Sequence, residues 1–452
     1  ELYLISPTSF EDALRKSRTI SVEVGEALEV IKEKEKEKAP VRKAEGVAAE
    51  VKKVTSEAPI ARIVDVVIKH AITARASDIH IEPQENDLRI RYRTDGILHS
   101  SLVVPKVVHP AIVSRIKILS NLKIDEQRLP QDGRFHMDID RHSIDFRVST
   151  LPTVNGEKVV LRILDKSGGV PTLAELGMSG TKLERLMENI SKAHGMLLVT
   201  GPTGSGKSTT LYAALNILNK VGVNIVTLED PVEYYIPGVN QSQINPDIGL
   251  TFASGLRSIL RQDPNIIMVG EIRDRETAEL GVHSALTGHL VFSTLHTNDA
   301  IGAIPRLLDM GIEAFLLTAS VNAVMAQRLV RKICLDCRQE VPPPSEVQKL
   351  ILTELKDVPK EEALDVDLRT VRMYKGQGCK LCGDSGYRGR VAIFEVMALS
   401  DTIKSYILEH QSIARIRDQA RLEGTITMKQ DGLIKVIRGV TTIEEVIRVT
   451  KE

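Results

Sequence analysis

The 452-residue chain contains no tryptophan, and aromatic residues make up only 3% of it. This scarcity argues against a nucleic-acid platform on which bases stack. Sixty basic side chains balance sixty acidic ones, so the formal net charge of zero supplies no bulk attraction for DNA or an anionic membrane. No apolar run reaches the roughly 18 residues of a membrane-spanning helix, and no signal-peptide pattern is present. We therefore expect a soluble cytoplasmic protein without a transmembrane segment.

One segment matches the phosphate-binding template G-x-x-x-x-G-K-[ST] at every fixed position. An apolar run at 196–199 precedes it and a helical pattern at 209–218 follows, which is the context the template requires. Glycines let backbone N–H groups face the phosphates, Lys207 reaches the outer phosphates, and the Ser208 hydroxyl holds Mg²⁺. The predicted nucleoside triphosphate site comprises Gly201, Pro202, Thr203, Gly204, Ser205, Gly206, Lys207, Ser208 and Thr209.

The pattern of apolar residues divides the chain into segments. Residues 31–58 alternate charges and predict a solvated linker. Residues 59–168 predict an α/β lobe with a largely antiparallel sheet, in which Asp95-Gly96 marks a hairpin. Residues 169–330 alternate strands and helices, which is typical of a parallel sheet. Residues 331–397 carry all four cysteines, and 398–452 follow a helical pattern.

Two strand patterns beyond the phosphate loop end in carboxylates. The run at 266–269 is followed by Gly270 and Glu271, and we interpret Glu271 as the group that orients the attacking water. The alternative is that Glu271 caps the next helix. The run at 224–228 ends at Glu229, which offers a second metal or water contact or else caps a turn at Pro231.

Histidines and arginines are the remaining candidates. His289 and His296 bracket one strand, so a γ-phosphate sensor competes with the commoner structural use of histidine. Arg147 and Arg162 stand on otherwise apolar strands. They either face water or stabilise the charge that develops on a transferred phosphoryl group.

The cysteines form two C-x-x-C pairs, Cys334 with Cys337 and Cys379 with Cys382. Paired knuckles of this kind suit tetrahedral Zn²⁺. The 41 residues between the pairs exceed the spacing of a zinc ribbon and imply an inserted excursion. Disulfides are the alternative, but they are rare in the cytoplasm. Four thiolates leave no open coordination position, so we expect a structural zinc site.

Taken together, these motifs resemble the secretion ATPases of type II secretion and type IV pilus assembly. The resemblance extends over 59–452 and includes the variant Walker B motif that contains Glu271. It rests on the phosphate loop, the four cysteines and segments 76–82, 128–134, 228–233, 260–264, 269–274 and 287–298.

The resemblance implies a hexameric ring with ATP and Mg²⁺ between two lobes of each subunit. It implies a RecA-like P-loop core, a PAS-like α+β N-terminal lobe, a zinc-binding insertion and a helical C-terminal subdomain. It also gives roles to residues: Glu229 matches a catalytic acid, and His289 and His296 match the family's histidine box. Arginines that match family positions around phosphates or between lobes are Arg147, Arg162, Arg257, Arg261, Arg273 and Arg390.

The same resemblance implies partners. The metal-binding insertion is typical of assembly and secretion motors rather than retraction motors. The implied partners are an inner-membrane platform protein and a membrane-associated adaptor, with the chain held at the inner face of the cytoplasmic membrane. Residues 1–30 resemble the tail of the family's first N-terminal domain, and because the chain begins with Glu1 we expect it to be part of a longer protein.

Other functions remain as alternatives at this point. One is a RecA-like nucleic-acid translocase or conjugation-type ATPase, which the charge balance and scarce aromatics disfavour. Another is a nucleotide-binding scaffold without hydrolysis, which Lys207, Ser208 and Glu271 disfavour. The motifs do not separate type II secretion from pilus assembly.

Overall fold

A computed structural model describes residues 58–139, 142–165, 169–362 and 371–451, together with Val24 and Glu29. The remainder of the predicted segment 1–30, and the predicted linker up to residue 57, lie outside the described residues. The chain divides into two compact units, Glu1–Gly169 and Val170–Glu452. Within the described residues, no helix is both long enough and apolar enough to cross a membrane.

Among the described residues from 58 onward, the first unit is a six-stranded antiparallel sheet with two helices packed against it. The strands lie in the order β3-β2-β1-β6-β5-β4. The apolar positions of alternating strand residues pack with both helices in one core, as period-two alternation requires. Asp95 and Gly96 both have positive φ (50° and 85°), as the tight β2–β3 hairpin requires. The elements are α1 (Ala58–Thr73), β1 (Ala76–Pro83), β2 (Asp87–Thr94), β3 (Ile97–Pro105), α2 (His109–Leu119), β4 (Gln131–Ile139), β5 (His142–Thr153) and β6 (Gly156–Asp165).

The second unit is built on a seven-stranded mixed sheet. Its order is β15-β12-β7-β11-β10-β8-β9, and every pair is parallel except β12 with β15. The central strands are buried along their whole length, which explains why they read as continuous apolar runs. The strands are β7 (Gly195–Thr200), β8 (Ile225–Glu229), β9 (Asn240–Gln243), β10 (Ile266–Val269), β11 (Leu290–Leu295), β12 (Val321–Ile333) and β15 (Tyr387–Ala398).

Helices cover both faces of this sheet through separate clusters of buried side chains. One of them follows the phosphate loop directly, and another begins just after Glu271. The helices are α3 (Thr181–Ile190), α4 (Lys207–Leu218), α5 (Phe252–Ile259), α6 (Arg275–Leu286), α7 (Ala303–Asp309) and α8 (Ala314–Ser320).

The cysteine-bearing region is smaller than the predicted 331–397. Strand β12 continues to Ile333, and β15 pairs with it from Tyr387 onward, so residues 387–397 belong to the main sheet. The excursion lies between these two strands. It contains β13 (Arg338–Val341), α9 (Ser345–Glu354) and β14 (Met373–Gly376), of which β13 and β14 form a two-stranded sheet.

Four helices follow β15, in agreement with the helical pattern of the last fifty residues. They are α10 (Asp401–Leu408), α11 (Ile413–Leu422), α12 (Met428–Ile437) and α13 (Ile443–Thr450). The serines at 400 and 412 and the threonine at 427 cap the first three through side-chain oxygens, which satisfies otherwise unpaired helix N–H groups.

Candidate nucleotide site

The phosphate loop connects β7 to α4 at the carboxyl edge of the second sheet. Gly204 and Gly206 have positive φ (79° and 88°), a conformation that favours glycine. A Cβ atom on Gly201 would lie 2.7 Å from the carbonyl oxygen of Gln327, so any side chain there would clash. Pro202, Thr203 and Gly204 are exposed, whereas Ser205 is buried. The loop is therefore a rigid backbone turn at a helix N-terminus, the geometry that binds phosphate.

Lys207 and Ser208 are the first two residues of α4. The Lys207 ammonium folds over the loop and donates to the carbonyl oxygens of Gly201 (2.8 Å) and Pro202 (3.1 Å). Burial lowers the pKa of Lys207, and the charge of Glu271 acts in the opposite direction. The Ser208 side chain is exposed at the helix start, where its hydroxyl could hold Mg²⁺. Thr209 is half-buried behind it.

The carboxyl ends of β10 and β11 bring Glu271, Arg273 and His296 together. These strands are parallel neighbours, with Val269 opposite Ser293, so the residues that follow them meet at one edge. The Oε2 atom of Glu271 lies 2.6 Å from Arg273 Nε and 3.2 Å from His296 Nε2. The bond to Glu271 is the main cause of the raised pKa of Arg273, and Asp230 adds to it. Glu271 is thus a nearly buried carboxylate whose orientation is fixed by two neighbours.

Glu229 does not occupy the position expected of a catalytic acid. Its side chain is 3% exposed and accepts hydrogen bonds from Tyr212, Thr227 and Gln241. Burial raises the pKa of Glu229 above its ordinary value despite these bonds. The adjacent Asp230 is exposed, and its charge adds to that of Glu271 in raising the pKa of Arg273. Glu229 is thus tied to the helix that follows the phosphate loop, through the hydroxyl of Tyr212, which donates to its carboxylate.

His289 lies far from His296. The two residues flank opposite ends of the six-residue strand β11, a separation of about 20 Å at the usual rise of a strand. His289 Nδ1 contacts the carbonyl oxygen of Ser284 at 2.9 Å, and its own carbonyl oxygen accepts from Gly195, where β7 begins. Only His296 reaches the edge that carries the phosphate loop, so the structure does not join both histidines in one sensor.

Three other arginines of the second unit lie outside this cluster. Arg257 pairs with Glu276 on α6, and Arg261 donates to the carbonyl oxygen of Arg257 at 2.9 Å. Arg390 is exposed on β15 opposite Arg331. Of the predicted arginines of this unit, Arg273 alone contacts Glu271 among the described contacts.

Arg147 and Arg162 are direct cross-strand partners on β5 and β6 of the first unit. They stand on the face opposite the buried Phe146 and Val148, as strand alternation requires. The Arg162 Nε atom donates to Asp78 Oδ1 at 3.1 Å. The same line of cross-strand partners continues on both sides. Asp78 is paired with Arg162 and with Arg93, and Arg147 is paired with Arg134. We name Arg93, Arg134, Arg147 and Arg162 the arginine row.

The four cysteines form one cluster, with all sulfur atoms within 4.8 Å of one another. The Cys334–Cys379 and Cys337–Cys382 sulfur distances are both 3.9 Å. A tetrahedral zinc ion with bonds of about 2.3 Å requires sulfur separations of about 3.8 Å. The Cys379 and Gly386 N–H groups donate to Cys382 Sγ, and they offset its burial to lower its pKa to about 7. The donor set therefore fits zinc.

Gln327 and Arg328 on β12 also contact the phosphate loop, and the sequence pattern did not single them out. Gln327 is 1% exposed and donates through Nε2 to the carbonyl oxygen of Ser205 at 2.6 Å. The Arg328 guanidinium lies against Gly201 and Asn298. Both residues sit in a long apolar strand without a motif, so only the pairing of β12 with β7 reveals them.

Comparisons with known proteins agree with this geometry. A family model described as Type II/IV secretion system protein matches residues 53–448. The chain is 49% identical over 399 residues to the type IV pilus assembly ATPase PilB of Myxococcus xanthus, covering 88% of this chain and 69% of that protein. It is 48% identical over 398 residues to type II secretion system protein E of Xanthomonas campestris pv. campestris, covering 88% and 68%.

A solved structure of the pilus retraction motor PilT with bound ADP also matches, with a TM-score of 0.58 and 26% identity. The match covers 86% of this chain and 97% of that chain. The predicted α/β class with a RecA-like core is confirmed by this likeness and by the mixed sheet of the second unit.

Proposed function

The chain belongs to the Type II/IV secretion system protein family and is an ATPase, and from this premise we propose that it powers type IV pilus assembly or type II secretion. The observation that carries the proposal is the convergence of Lys207, Glu271 and His296 at one sheet edge. A nucleic-acid translocase is not favoured, since the relatives are named for pilus assembly and secretion.

In the proposed reaction the phosphate loop binds ATP, and Lys207 exchanges its two carbonyl partners for the outer phosphates. A magnesium ion held at the Ser208 hydroxyl would neutralise phosphate charge. Both contacts to Glu271 fall on Oε2, so we assign Oε1 to the attacking water. His296 and Arg273 hold that carboxylate in place. Catalysis then rests on positioning and electrostatic stabilisation, as is usual for phosphoryl transfer.

We further propose that Arg147 and Arg162 supply positive charge to the transferred phosphoryl group. Support comes from their shared face and from the solvent exposure of Arg162. The first unit would then be the PAS-like lobe that the resemblance implies. Arg257, Arg261 and Arg390 remain candidates for contacts within an assembly.

The cysteine cluster is proposed to hold one structural zinc ion. Supporting observations are the near-tetrahedral sulfur separations and the N–H groups aimed at Cys382. Four protein ligands would saturate the ion, so its contribution would be to fold the excursion between β12 and β15.

The remaining proposals concern assembly. We propose a homohexamer that acts at the inner face of the cytoplasmic membrane on a platform protein, together with a membrane-associated adaptor. The pilus assembly and secretion names of the relatives support this proposal. The platform partner, captured from membranes, would distinguish pilus assembly from secretion.

The test of the ATPase mechanism is the substitution Glu271→Gln. The amide keeps the size of the side chain but cannot orient water as a carboxylate does, so we expect turnover to fall about 10²–10³-fold. Binding of a fluorescent ATP analogue should stay within about three-fold, because Glu271 does not form the phosphate loop. Glu279→Gln, which alters a surface pair with Arg275, is the matched control. Unchanged hydrolysis in Glu271→Gln would remove this residue from the mechanism.

A further inference from the structure

Residues 297–300 directly follow His296, and we call them the clamp segment. Each of its four residues forms a hydrogen bond or ion pair with a different strand or helix. Its first residue, Thr297, donates its N–H to Thr200 Oγ1 on β7 at 2.9 Å. Its second residue, Asn298, accepts at its carbonyl oxygen from Arg328 Nη2 on β12 at 2.8 Å. Two strands of the central sheet therefore hold the first half of the clamp segment.

The second half of the clamp segment is held by two further elements. The Asp299 Oδ2 atom lies 2.9 Å from Arg417 Nη2 on α11. The Ala300 N–H donates to Glu395 Oε1 on β15 at 2.9 Å. Burial raises the pKa of Glu395 to about 7, and the Ala300 N–H opposes that rise. A surface ion pair and a buried hydrogen bond thus complete the attachment.

Arg328 is distinctive because one guanidinium serves both the clamp segment and the phosphate loop. Besides Asn298, it donates through Nη1 to the carbonyl oxygen of Gln327 at 3.1 Å. A Cβ atom on Gly201 would lie only 3.2 Å from the same Nη1. Gln327 in turn holds Ser205. A displacement of Arg328 would therefore disturb the start of the phosphate loop and the residues behind His296 together.

The electrostatic setting of Arg328 is unusual for an arginine. Burial lowers its pKa, while the carboxylates of Glu395 and Asp299 raise it. Among the described residues, neither carboxylate forms a salt bridge with it, and its bonds go to neutral carbonyl oxygens. Its charge also helps lower the pKa of Lys207. The guanidinium is thus retained at a desolvation cost, in a position where its two-armed geometry matters.

We propose that Arg328 is a positioning residue of the ATPase reaction, which acts through the clamp segment on His296. The proposal rests on the proposed ATP site. His296 directly precedes the clamp segment and contacts Glu271 at 3.2 Å. A shift of about 1 Å in such a group can cost about 10²-fold in rate.

The first test is Arg328→Lys, which keeps the charge but removes the planar fork. We expect kcat to fall about ten-fold with KM within about three-fold, because loss of positioning acts mainly on the transition state. Lys332→Ala, an exposed residue on the same strand, is the matched control and should behave as the wild type. A kcat for Arg328→Lys equal to that of the control would overturn the proposal.

The second test is a double-mutant cycle with His296→Gln. If Arg328 acts through His296, the double variant should be no more than about two-fold slower than His296→Gln alone, since the effects share one route. Rate losses that multiply would show that Arg328 acts independently of His296 and would contradict the proposal.

Hydrogen exchange provides a readout that does not need turnover. Arg328→Lys should accelerate amide exchange in the clamp segment, because fewer anchors hold it closed. Unchanged amide exchange in the clamp segment would contradict the proposal that Arg328 holds this segment in place. If Arg328→Lys fails to fold, Arg417→Gln removes the half-exposed Asp299 pair and should give the same pattern with a smaller effect. A wild-type chain that does not hydrolyse ATP would refute the proposed function. The amide exchange of Arg328→Lys would still test whether Arg328 holds the clamp segment.

Discussion

At the scale of single residues, Glu229 and Glu271 share one sequence pattern and differ in their surroundings. Glu229 is the last residue of the buried strand β8, and Glu271 lies two residues beyond the end of the buried strand β10. Glu229 is enclosed by three neutral donors, whereas Glu271 is oriented by Arg273 and His296. Burial raises the pKa of Glu229, which disfavours its charged form. These surroundings support the proposed water-orienting role for Glu271 rather than for Glu229.

The two histidines lead to a prediction with an internal control. His296→Ala should lower kcat about ten-fold or more, because Glu271 loses a neighbour that fixes its carboxylate. His289→Ala should leave kcat within about two-fold, since its contacts are at the opposite end of β11. Steady-state ATP hydrolysis by both variants, with melting temperatures to check folding, measures the contrast. Equal losses of kcat would mean that both histidines serve the nucleotide.

Site residues that belong to a contiguous motif can be predicted from the sequence. Residues that reach the site only because distant strands pair cannot. The phosphate loop and Glu271 follow from local spacing, because strand, loop and helix are adjacent in the chain. Gln327 and Arg328 approach that loop only because β12 pairs with β7, about 120 residues away in sequence. His289 and His296 bracket β11 as the pattern predicts, and they therefore lie at opposite ends of that strand.

At the scale of elements, the apolar patterns located the strands well but not the limits of the cysteine-bearing excursion. The predicted strand at 266–269 coincides with β10, since a short buried run has sharp ends. Strand β12 instead runs past the predicted start at residue 331, and β15 begins before the predicted end at residue 397. Cysteine spacing marks the metal cluster, whereas pairing between distant strands decides where the main sheet ends.

The segment between β12 and β15 leads to a prediction about zinc content and zinc loss. Freshly purified protein should contain about one zinc per chain, and Cys382→Ser should lose it, because three thiolates bind far more weakly than four. Protease cleavage between β12 and β15 should then increase, while nucleotide binding persists. Leu381→Ser, an exposed residue inside the same C-x-x-C pair, should keep its zinc. Much less than one zinc per wild-type chain would contradict the site.

Glu445 ties the last helix, α13, to β12. Its carboxylate accepts from the Arg331 N–H (2.9 Å), from Arg331 Nη2 (2.8 Å) and from Arg448 Nη2 (2.7 Å). Burial would raise the pKa of Glu445, but these bonds outweigh it and lower the pKa to about 2. The Arg331 guanidinium also stacks over Tyr387 at 4.0 Å, which joins the helix to the end of β15.

This carboxylate predicts a defined acid dependence of stability. Because the folded-state pKa is below the ordinary 4.5, its contribution is fully present above pH 4.5 and is lost as pH falls toward 2. Glu445→Gln should lower the free energy of unfolding at pH 7 by about 3 kcal/mol. The difference from wild type should shrink near pH 2. Urea unfolding at both pH values measures it, with the exposed neighbour Glu444→Gln as control. A difference independent of pH would contradict the assignment to ionisation.

At the scale of the whole molecule, a net charge of zero conceals a strongly uneven distribution. The arginine row spans five strands on one face of the first sheet, with arginines on four of them and a single acid, Asp78, on β1. Arg93 and Arg162 both pair with the carboxylate of Asp78, so the charge of the row is partly balanced within the sheet. Composition alone could not reveal this, because the row exists only when five segments of sequence pair in register.

The last prediction follows from this uneven charge. Arg147→Ala and Arg162→Ala should each lower kcat by at least about 10²-fold, as expected for arginines that stabilise a transferred phosphoryl group. Melting temperatures must be measured for both variants, because Arg162→Ala also removes a partner of the buried Asp78 carboxylate. Arg134→Ala, an exposed member of the row on the edge strand β4, is the control and should stay within about two-fold. ATP turnover measured with and without added DNA completes the test, since strong stimulation by DNA would show that the row binds nucleic acid. Equal small effects of all three substitutions would instead mean that the row is a solvated surface and that the phosphate charge is neutralised within the second unit alone.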